Sequence, residues 1–461
     1  MVQASSPQAT RRTGWAEVLR ISWPLIIANG FWNLQLTIDR IFLGNYSTDS
    51  LGAAVAVMGV FWTPMALLQQ TAAYSMTFVA QYLGAKRPHD IGPVVWQSIY
   101  LSIIGGLLFL LFIPLSADIF YHMGHSEQMQ TLESSYFAAL CFSALPTAIV
   151  AATSGFFTGL GRSRVIMWIN GVGLVANVFF DYLFIFGKLG FPAMGIAGAG
   201  YATALANLFA ASFSLFLIFH RHHESDFLMR SRWRPNFNLM KRFLRYGLPS
   251  GLQWSLEGMA FTVFLIILGQ MPNGDAALSA SGIAVTIMML AVLPALGVGQ
   301  GVSVLVGQHL GNNCPEKAEK TTWSGLQIAA LYILFMGLSF VLFPEFYLSW
   351  FHNADQEKLW AEVSVIVTYL LMFVAFFILF DSMNLIFSFS LKGAGDTKFV
   401  TLVALTLPWP LMILPTWLFR HDSAAVYWAW AACTLFICTQ AIVFWRRFVG
   451  GMWKSMRVIS D

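Results

Sequence analysis

Long apolar segments separated by short polar loops run through this chain from about residue 15 to residue 447. A helix needs about 20 mostly apolar residues to cross a bilayer. Glycine and proline inside such segments do not argue against helices, because membrane helices tolerate both. The pattern therefore predicts an all-α membrane protein with twelve spans, at residues 15–43, 51–81, 92–115, 132–159, 164–187, 196–220, 243–269, 278–308, 319–343, 360–391, 397–419 and 425–447.

Composition and charge agree with this pattern. Hydrophobic residues make up 57% of the chain and charged residues 10%, so a lipid bilayer is the first expected partner. All but four of the 26 lysines and arginines fall in the termini and the even-numbered loops, which predicts that both termini are cytoplasmic. The basic stretch 221–245 follows the same bias, so we expect no nucleic-acid partner.

Three short motifs occur twice in the same order, at separations of 225, 227 and 234 residues. They are Arg20 to Pro24 with Arg245 to Pro249, Gln81 to Gly84 with Gln308 to Gly311, and Gly159 to Ser163 with Gly393 to Thr397. An even number of spans in each copy gives both copies the same orientation. We therefore expect two parallel six-helix lobes, at residues 1–225 and 226–461, related by a pseudo-two-fold axis along the membrane normal with the substrate site between them.

Four carboxylates lie inside otherwise apolar spans: Asp39, Asp181, Glu257 and Asp381. A charged carboxylate in hydrocarbon costs several kcal/mol, so such groups must face a bundle interior or a wet cavity. There they can bind protons or cations. Buried structural hydrogen bonding is the alternative for each one separately, but the set favours translocation of an ion or substrate.

These features resemble the multidrug and toxic compound extrusion (MATE) family of transporters over residues 15 to 450. The most specific segments are 36–44, which includes Asp39, then 159–163, 177–187, Glu257, Asp381 and 392–397. The resemblance implies two six-helix lobes facing each other in a V. It also implies a monomer in the bacterial inner membrane that exports cationic amphiphilic molecules in exchange for H⁺ or Na⁺ by alternating access, with no cofactor besides the coupling ion.

The first half contains a candidate ion-coupling cluster. Asn177 and Asp181 are four residues apart, so they project from the same face of one helix. A polar pair on an apolar helix needs partners, and Asp39 and Thr203 are the candidates, as the resemblance also implies. Two carboxylates close together in a poorly solvated place cannot both ionise cheaply, which suits a group that loads and releases a proton. The same oxygen atoms could hold Na⁺, so both ions remain open.

The second half contains Glu257 and Asp381, which could be counter-charges for a cationic cargo or a second ion site. Phe377 stands one turn before Asp381, where sodium-coupled members of the resembled family often carry tyrosine. Aromatic rings and methionine suit a promiscuous cavity for flat cations. The candidate lining residues near the acids are Trp32, Gln35, Trp254 and Met259.

Pro24 precedes Asp39 by fifteen residues on the same span. A proline inside a helix removes a hydrogen bond and permits a kink. In proton-coupled transporters that this chain resembles, a proline at this spacing is associated with bending of the first helix. A passive kink, or a proline in the first turn of the helix, is the alternative.

Three other functions compete with efflux. A lipid-linked oligosaccharide flippase would share the duplicated architecture, but it should line its cavity with Arg or Lys to bind pyrophosphate. A channel is the second alternative, but duplicated lobes with buried titratable groups suit alternating access better. An intramembrane enzyme would need a nucleophile with its base or a metal-binding motif, and the chain lacks His-Glu-x-x-His. The chain also lacks an ATP-binding loop, so we expect no coupling of transport to ATP hydrolysis.

Overall fold

The fold is described by a computed structural model that covers residues 14–123, 125–272, 274–351 and 357–459. Within these ranges the chain forms helices and no β-strand. The α-helices of the first half are α1 (Trp15–Tyr46), α2 (Thr48–Ala73), α3 (Ser75–Gly84), α4 (Ile91–Phe109), α5 (Ser116–Tyr121), α6 (Glu127–Cys141), α7 (Ala144–Gly159), α8 (Ser163–Phe186), α9 (Gly195–Ile218) and the short α10 (Arg221–Phe227).

In the second half, single helices stand where the first half has the pairs α2 with α3 and α6 with α7, whereas the eleventh span is broken into short segments. The helices of this half are α11 (Phe237–Gly269), α12 (Gly274–Gly311), α13 (Pro315–Leu342), α14 (Pro344–Leu348), α15 (Glu357–Ala394), α16 (Thr397–Thr406), α17 (Leu414–Leu418) and α18 (Ala425–Val449). A π-helical segment, Trp409–Ile413, joins α16 to α17 in a proline-rich stretch. Prolines relieve the regular hydrogen-bond ladder in such stretches, which permits this wider turn.

Helices form each of the twelve predicted spans, although spans 51–81, 132–159 and 397–419 are each divided into shorter helices. This confirms the all-α membrane fold. In the described part of the chain, ten helical segments are long and apolar enough to cross a bilayer, and α6 with α7, bent by 43°, forms an eleventh. The first helix is not among these segments. Besides charged residues near its ends, it carries Asn29, Asn33 and Gln35 in its middle, and these amides lower its hydropathy.

The described residues pack into two compact units. The N-unit comprises residues 27–255, with 311–313 and 457–459, and the C-unit comprises residues 14–26, 256–310 and 314–456 within the described ranges. Each unit therefore contains the opening segment of the other half's first helix. The division of the chain at residues 225 and 226 stays a prediction about the duplicated sequence.

Close helix contacts fix these opening segments within their units. In the C-unit, a Cβ on Gly301 of α12 would lie 2.3 Å from the Ser22 hydroxyl oxygen of α1. In the N-unit, a Cβ on Gly251 of α11 would lie 2.2 Å from the Thr71 hydroxyl oxygen of α2. Only glycine permits these approaches, because any side chain would collide with the facing helix. The two contacts correspond to each other in the repeat: the first helix of each half packs against the helix of the second span of the other half.

Pro24 lies in the interior of α1, ten residues into the helix, and is buried. The first-turn alternative for this proline is therefore wrong. The helix also changes its packing unit two residues later, between residues 26 and 27. The proline thus lies beside the point where α1 exchanges one set of neighbours for another.

Candidate ion and substrate sites

Three helices of the N-unit contribute the predicted ion-coupling cluster, called here the N-cluster: Asp39 from α1, Asn177 and Asp181 from α8, and Thr203 from α9. Asn177 and Asp181 are fully buried and Asp39 is 6% exposed. The side-chain amide of Asn177 donates to the Thr203 hydroxyl at 3.5 Å, at the long limit for a hydrogen bond. The carboxyl groups of Asp39 and Asp181 are close enough to interact with each other electrostatically.

The N-cluster is rich in acceptors and poor in donors. Both carboxyl oxygens of Asp181, Oδ1 of Asp39 and Oδ1 of Asn177 are buried without a hydrogen-bond donor. Two carboxyl groups can hydrogen-bond only if one of them carries a proton. The arrangement therefore suits a shared proton or a small cation bound by oxygen atoms, which hard cations prefer. In the described part of the chain, no group of three or more His, Cys, Asp or Glu side chains could hold a metal ion.

The structure adds residues of α6 that the sequence analysis missed. Tyr136 is buried and interacts electrostatically with both Asp39 and Asp181. Glu133 is fully buried one turn earlier, and its Oε1 lies 2.7 Å from Nδ1 of His125. Glu133 was recognisable from the sequence as a further acid inside a predicted span. Tyr136 carries no such signal, because tyrosine is common in membrane helices.

The second predicted pair, Glu257 of α11 and Asp381 of α15, lies in the C-unit and is joined through two amides. Asn384 Nδ2 donates to Asp381 Oδ1 at 3.3 Å and to Gln440 Oε1 at 3.1 Å. Gln440 Nε2 of α18 then donates to Glu257 Oε1 at 3.0 Å. We call these four residues the C-cluster. Its acids are bridged by donors, whereas those of the N-cluster face each other directly.

Sequence reasoning missed both bridging amides. Asn384 lies three residues after Asp381, so helical spacing already placed it on the same face. Gln440 is an isolated polar residue in the last span and is 2% exposed. A buried amide in a membrane helix needs partners, and this was the available signal.

Lys392 is buried in a helix and not in a loop. The predicted spans 360–391 and 397–419 left it in the cytoplasmic loop between them, but it lies in the last turn of α15 and is 4% exposed. Its Nζ lies 4.1 Å from the centre of the Phe389 ring, and it interacts electrostatically with Glu257.

Phe377 is buried in an aromatic stack with Trp430, with 6.2 Å between the ring centres. The indole of Trp430 donates to the Ser281 hydroxyl at 3.0 Å. The Phe377 side chain therefore supports packing between α15 and α18.

The four candidate lining residues are distributed between the two units. Trp32 is 40% exposed and packs on Trp62 with 5.4 Å between the ring centres. Gln35, one turn before Asp39, is half-buried, as are Trp254 and Met259. Trp254 belongs to the N-unit, and Met259, two residues after Glu257, belongs to the C-unit. Their part in binding a substrate stays a prediction.

A fold of many membrane helices with acids inside both repeats is typical of a membrane transporter. A sequence profile of the MatE family matches residues 24–183 and 249–418. The two matches begin at Pro24 and Pro249, in agreement with the 225-residue repeat. The chain belongs to the MatE family, whose members are transporters, so it is not an enzyme.

Individual relatives agree with this assignment. The chain is 28% identical over 396 residues to the probable multidrug resistance protein NorM of Shewanella oneidensis, covering 85% of this chain and 84% of that protein. It is 25% identical to the probable multidrug resistance protein NorM of Thermotoga maritima, covering 96% and 94%. A crystal structure of MATE in complex with MaL6 matches its fold with a TM-score of 0.87 at 22% identity, covering 97% and 98%.

Proposed function

We propose that this protein is a multidrug efflux antiporter that exports cationic amphiphilic molecules in exchange for protons by alternating access. The observation that carries the proposal is the N-cluster, where four buried acceptor oxygens lack donors. A buried acceptor without a donor costs about 1–3 kcal/mol, so binding a proton or cation there is favourable. A proton fits best, because it permits the hydrogen bond between Asp39 and Asp181.

Coupling follows from competition for negative charge. When the pair holds a proton, it attracts a cationic cargo weakly. When the proton leaves, the negative charge favours binding of the cation. If the two forms favour different orientations of the lobes, a proton gradient drives export.

The cargo class rests on the acids and on the named relatives. Carboxylates inside the spans of both repeats, buried for Asp39 and Asp181 and half-buried for Glu257 and Asp381, suit a cationic cargo. The aromatic and methionine side chains near them suit flat apolar surfaces. Relatives that cover most of the chain are named multidrug resistance proteins. A flippase for pyrophosphate-linked lipids would need a basic cavity, and acids predominate among the candidate site residues.

Cation efflux from proteoliposomes, with the pH gradient and the sodium gradient imposed separately, tests this function. We expect a pH gradient alone to drive export of a cationic dye, and an anionic dye of similar size to stay inside. Efflux driven only by sodium would keep the N-cluster as an ion site but change its ion. Equal transport of both dyes would contradict the proposed cargo.

The same proposal places the protein in the bacterial inner membrane as a monomer with both termini cytoplasmic. Single cysteines at positions 125 and 275, in a variant that lacks the four native cysteines, test the orientation. We expect a membrane-impermeant thiol reagent to label both from outside intact cells. Labelling only after the membrane is opened would contradict the orientation.

A further inference from the structure

A groove of about 610 Å³ opens where α9 ends and the following loop returns along it. All of its lining residues belong to the N-unit. We call it the α9 groove, and its lining residues are Ser212, Leu215, Phe216, Phe219, His220 and Arg230. The set combines an apolar wall with a polar rim and contains no acidic residue.

The polar rim is built on the end of α9. The last carbonyls of a helix have no partner inside the helix. Here Nδ1 of His223 lies 3.0 Å from the Leu217 carbonyl and 3.2 Å from the Ile218 carbonyl. The Arg230 guanidinium donates through Nη2 to the Phe219 carbonyl. One donor of Arg230 thus fixes its position, and the group retains its charge and further N–H groups.

Glu224 is an acid that contacts Arg230 but does not line the groove. The carboxylate of Glu224 accepts hydrogen bonds from the Ser231 hydroxyl and from the backbone N–H groups of Arg230 and Ser231. These bonds, with that of the Ser231 side chain the largest effect, lower the pKa of Glu224. Glu224 therefore remains ionised at neutral pH. It holds the backbone of the loop, and it lies close enough to Arg230 for the two opposite charges to attract each other.

The apolar wall continues along the membrane-spanning part of α9. Phe216 is 68% exposed, and Leu208 is 51% exposed two turns earlier. Residues 208, 212 and 216 follow each other at four-residue intervals, so they share one helix face. This face runs from the rim toward the middle of the span. An apolar chain can lie along it while a polar group remains at Arg230.

We propose that the α9 groove binds a phospholipid with an anionic headgroup, taken from the leaflet that adjoins the basic loops. The phosphate would be held by Arg230, since guanidinium groups bind phosphate oxygens through parallel N–H bonds. The acyl chains would cover Phe216 and the helix face beyond it. Basic pockets at the ends of membrane helices bind anionic headgroups in this way. The lining offers no carboxylate to the ammonium of a zwitterionic headgroup.

Native mass spectrometry of the full-length protein, released from detergent with defined lipids, tests the proposal. We expect the wild-type protein to retain phosphatidylglycerol at least about fivefold more than phosphatidylcholine of the same chain length. Arg230→Gln should remove most of this preference. Arg234→Gln, in the same loop but outside the groove, should keep it. Inorganic phosphate alone should not raise the melting temperature, because it cannot occupy the apolar wall.

Phe216→Ala tests the apolar wall without changing charge, and it decides the question if Arg230→Gln fails to fold. It should lower retention of phosphatidylglycerol at least about twofold. Phe335→Ala is its control, since Phe335 on α13 is similarly exposed, at 70%. Equal retention of the two lipids by the wild type, unchanged retention in both groove variants, or stabilisation by phosphate alone would overturn the proposal.

Discussion

The N-cluster and the C-cluster place acids in corresponding halves of a duplicated chain, yet their hydrogen bonding differs. In the C-cluster, Asn384 and Gln440 join the two acids by hydrogen bonds of 3.0 to 3.3 Å. In the N-cluster, the one hydrogen bond between members is 3.5 Å long, and four oxygen atoms lack a donor. A satisfied network stabilises a fold, whereas unsatisfied acceptors favour binding of something that supplies positive charge.

From this difference we predict different functions for the two clusters. The N-cluster is the better candidate for ion coupling, because a bound proton removes its deficit of donors. The C-cluster is the better candidate for positioning Glu257 and Asp381 toward a cargo, because its amides fix the orientation of both carboxyl groups. Substitutions that change one cluster at a time can break this comparison.

The largest effect is expected for Asp39→Asn. It preserves the shape of the side chain but removes its titratable charge, so gradient-driven efflux from proteoliposomes should fall at least about a hundredfold, with unchanged expression. Asp118→Asn is the control, since its exposed carboxyl lies on α5 outside both clusters. Efflux near the wild-type rate in Asp39→Asn would remove the N-cluster from coupling.

The next comparison sets Asp181→Asn against Asp381→Asn in one vesicle assay, with drug concentration and ion gradient varied separately. Asp181→Asn should remove the dependence on the gradient. Asp381→Asn should mainly raise the drug concentration for half-maximal transport, by about three- to tenfold. The reverse pattern would move ion coupling to the C-cluster and favour sodium.

Substitutions in the C-cluster should lower the stability of the fold more than substitutions in the N-cluster. Gln440→Met removes the amide that bridges Asn384 and Glu257, so we expect the free energy of unfolding to fall by about 1–3 kcal/mol. Asp181→Asn adds a donor to a cluster that lacks them, so its stability should equal or exceed that of the wild type. Thermal unfolding of both variants in one detergent measures this. Destabilisation by Asp181→Asn with no effect of Gln440→Met would reverse the assignment.

The smallest effect is expected for Thr203→Val, which removes the acceptor of a 3.5 Å hydrogen bond. Because this bond is weak, efflux should fall no more than about threefold, at unchanged gradient dependence. Thr203→Ser keeps the hydroxyl and should match the wild type. A loss as large as that of Asp39→Asn would make the hydroxyl a direct ion ligand.

Pairing within the clusters was only partly predictable. That Asn177 and Asp181 share one helix face followed from their four-residue spacing. The hydrogen bond between Asn384 and Asp381 could have been predicted from their three-residue spacing. The bond between Gln440 and Glu257 joins residues 183 positions apart. No periodicity connects such residues, because their contact depends on the rotation of two separate helices about their axes.

The sequence by itself determined the all-helical membrane fold, the duplication and the four acids that form the two clusters. These properties follow from the local cost of placing polar groups in hydrocarbon, which each segment carries independently of its neighbours. Only the tertiary structure decided that one pair of acids meets directly while the other is bridged by amides, that Lys392 is buried, and that the opening segments of α1 and α11 pack in opposite units. Each of these depends on which helix faces approach each other, and close packing between distant segments decides that.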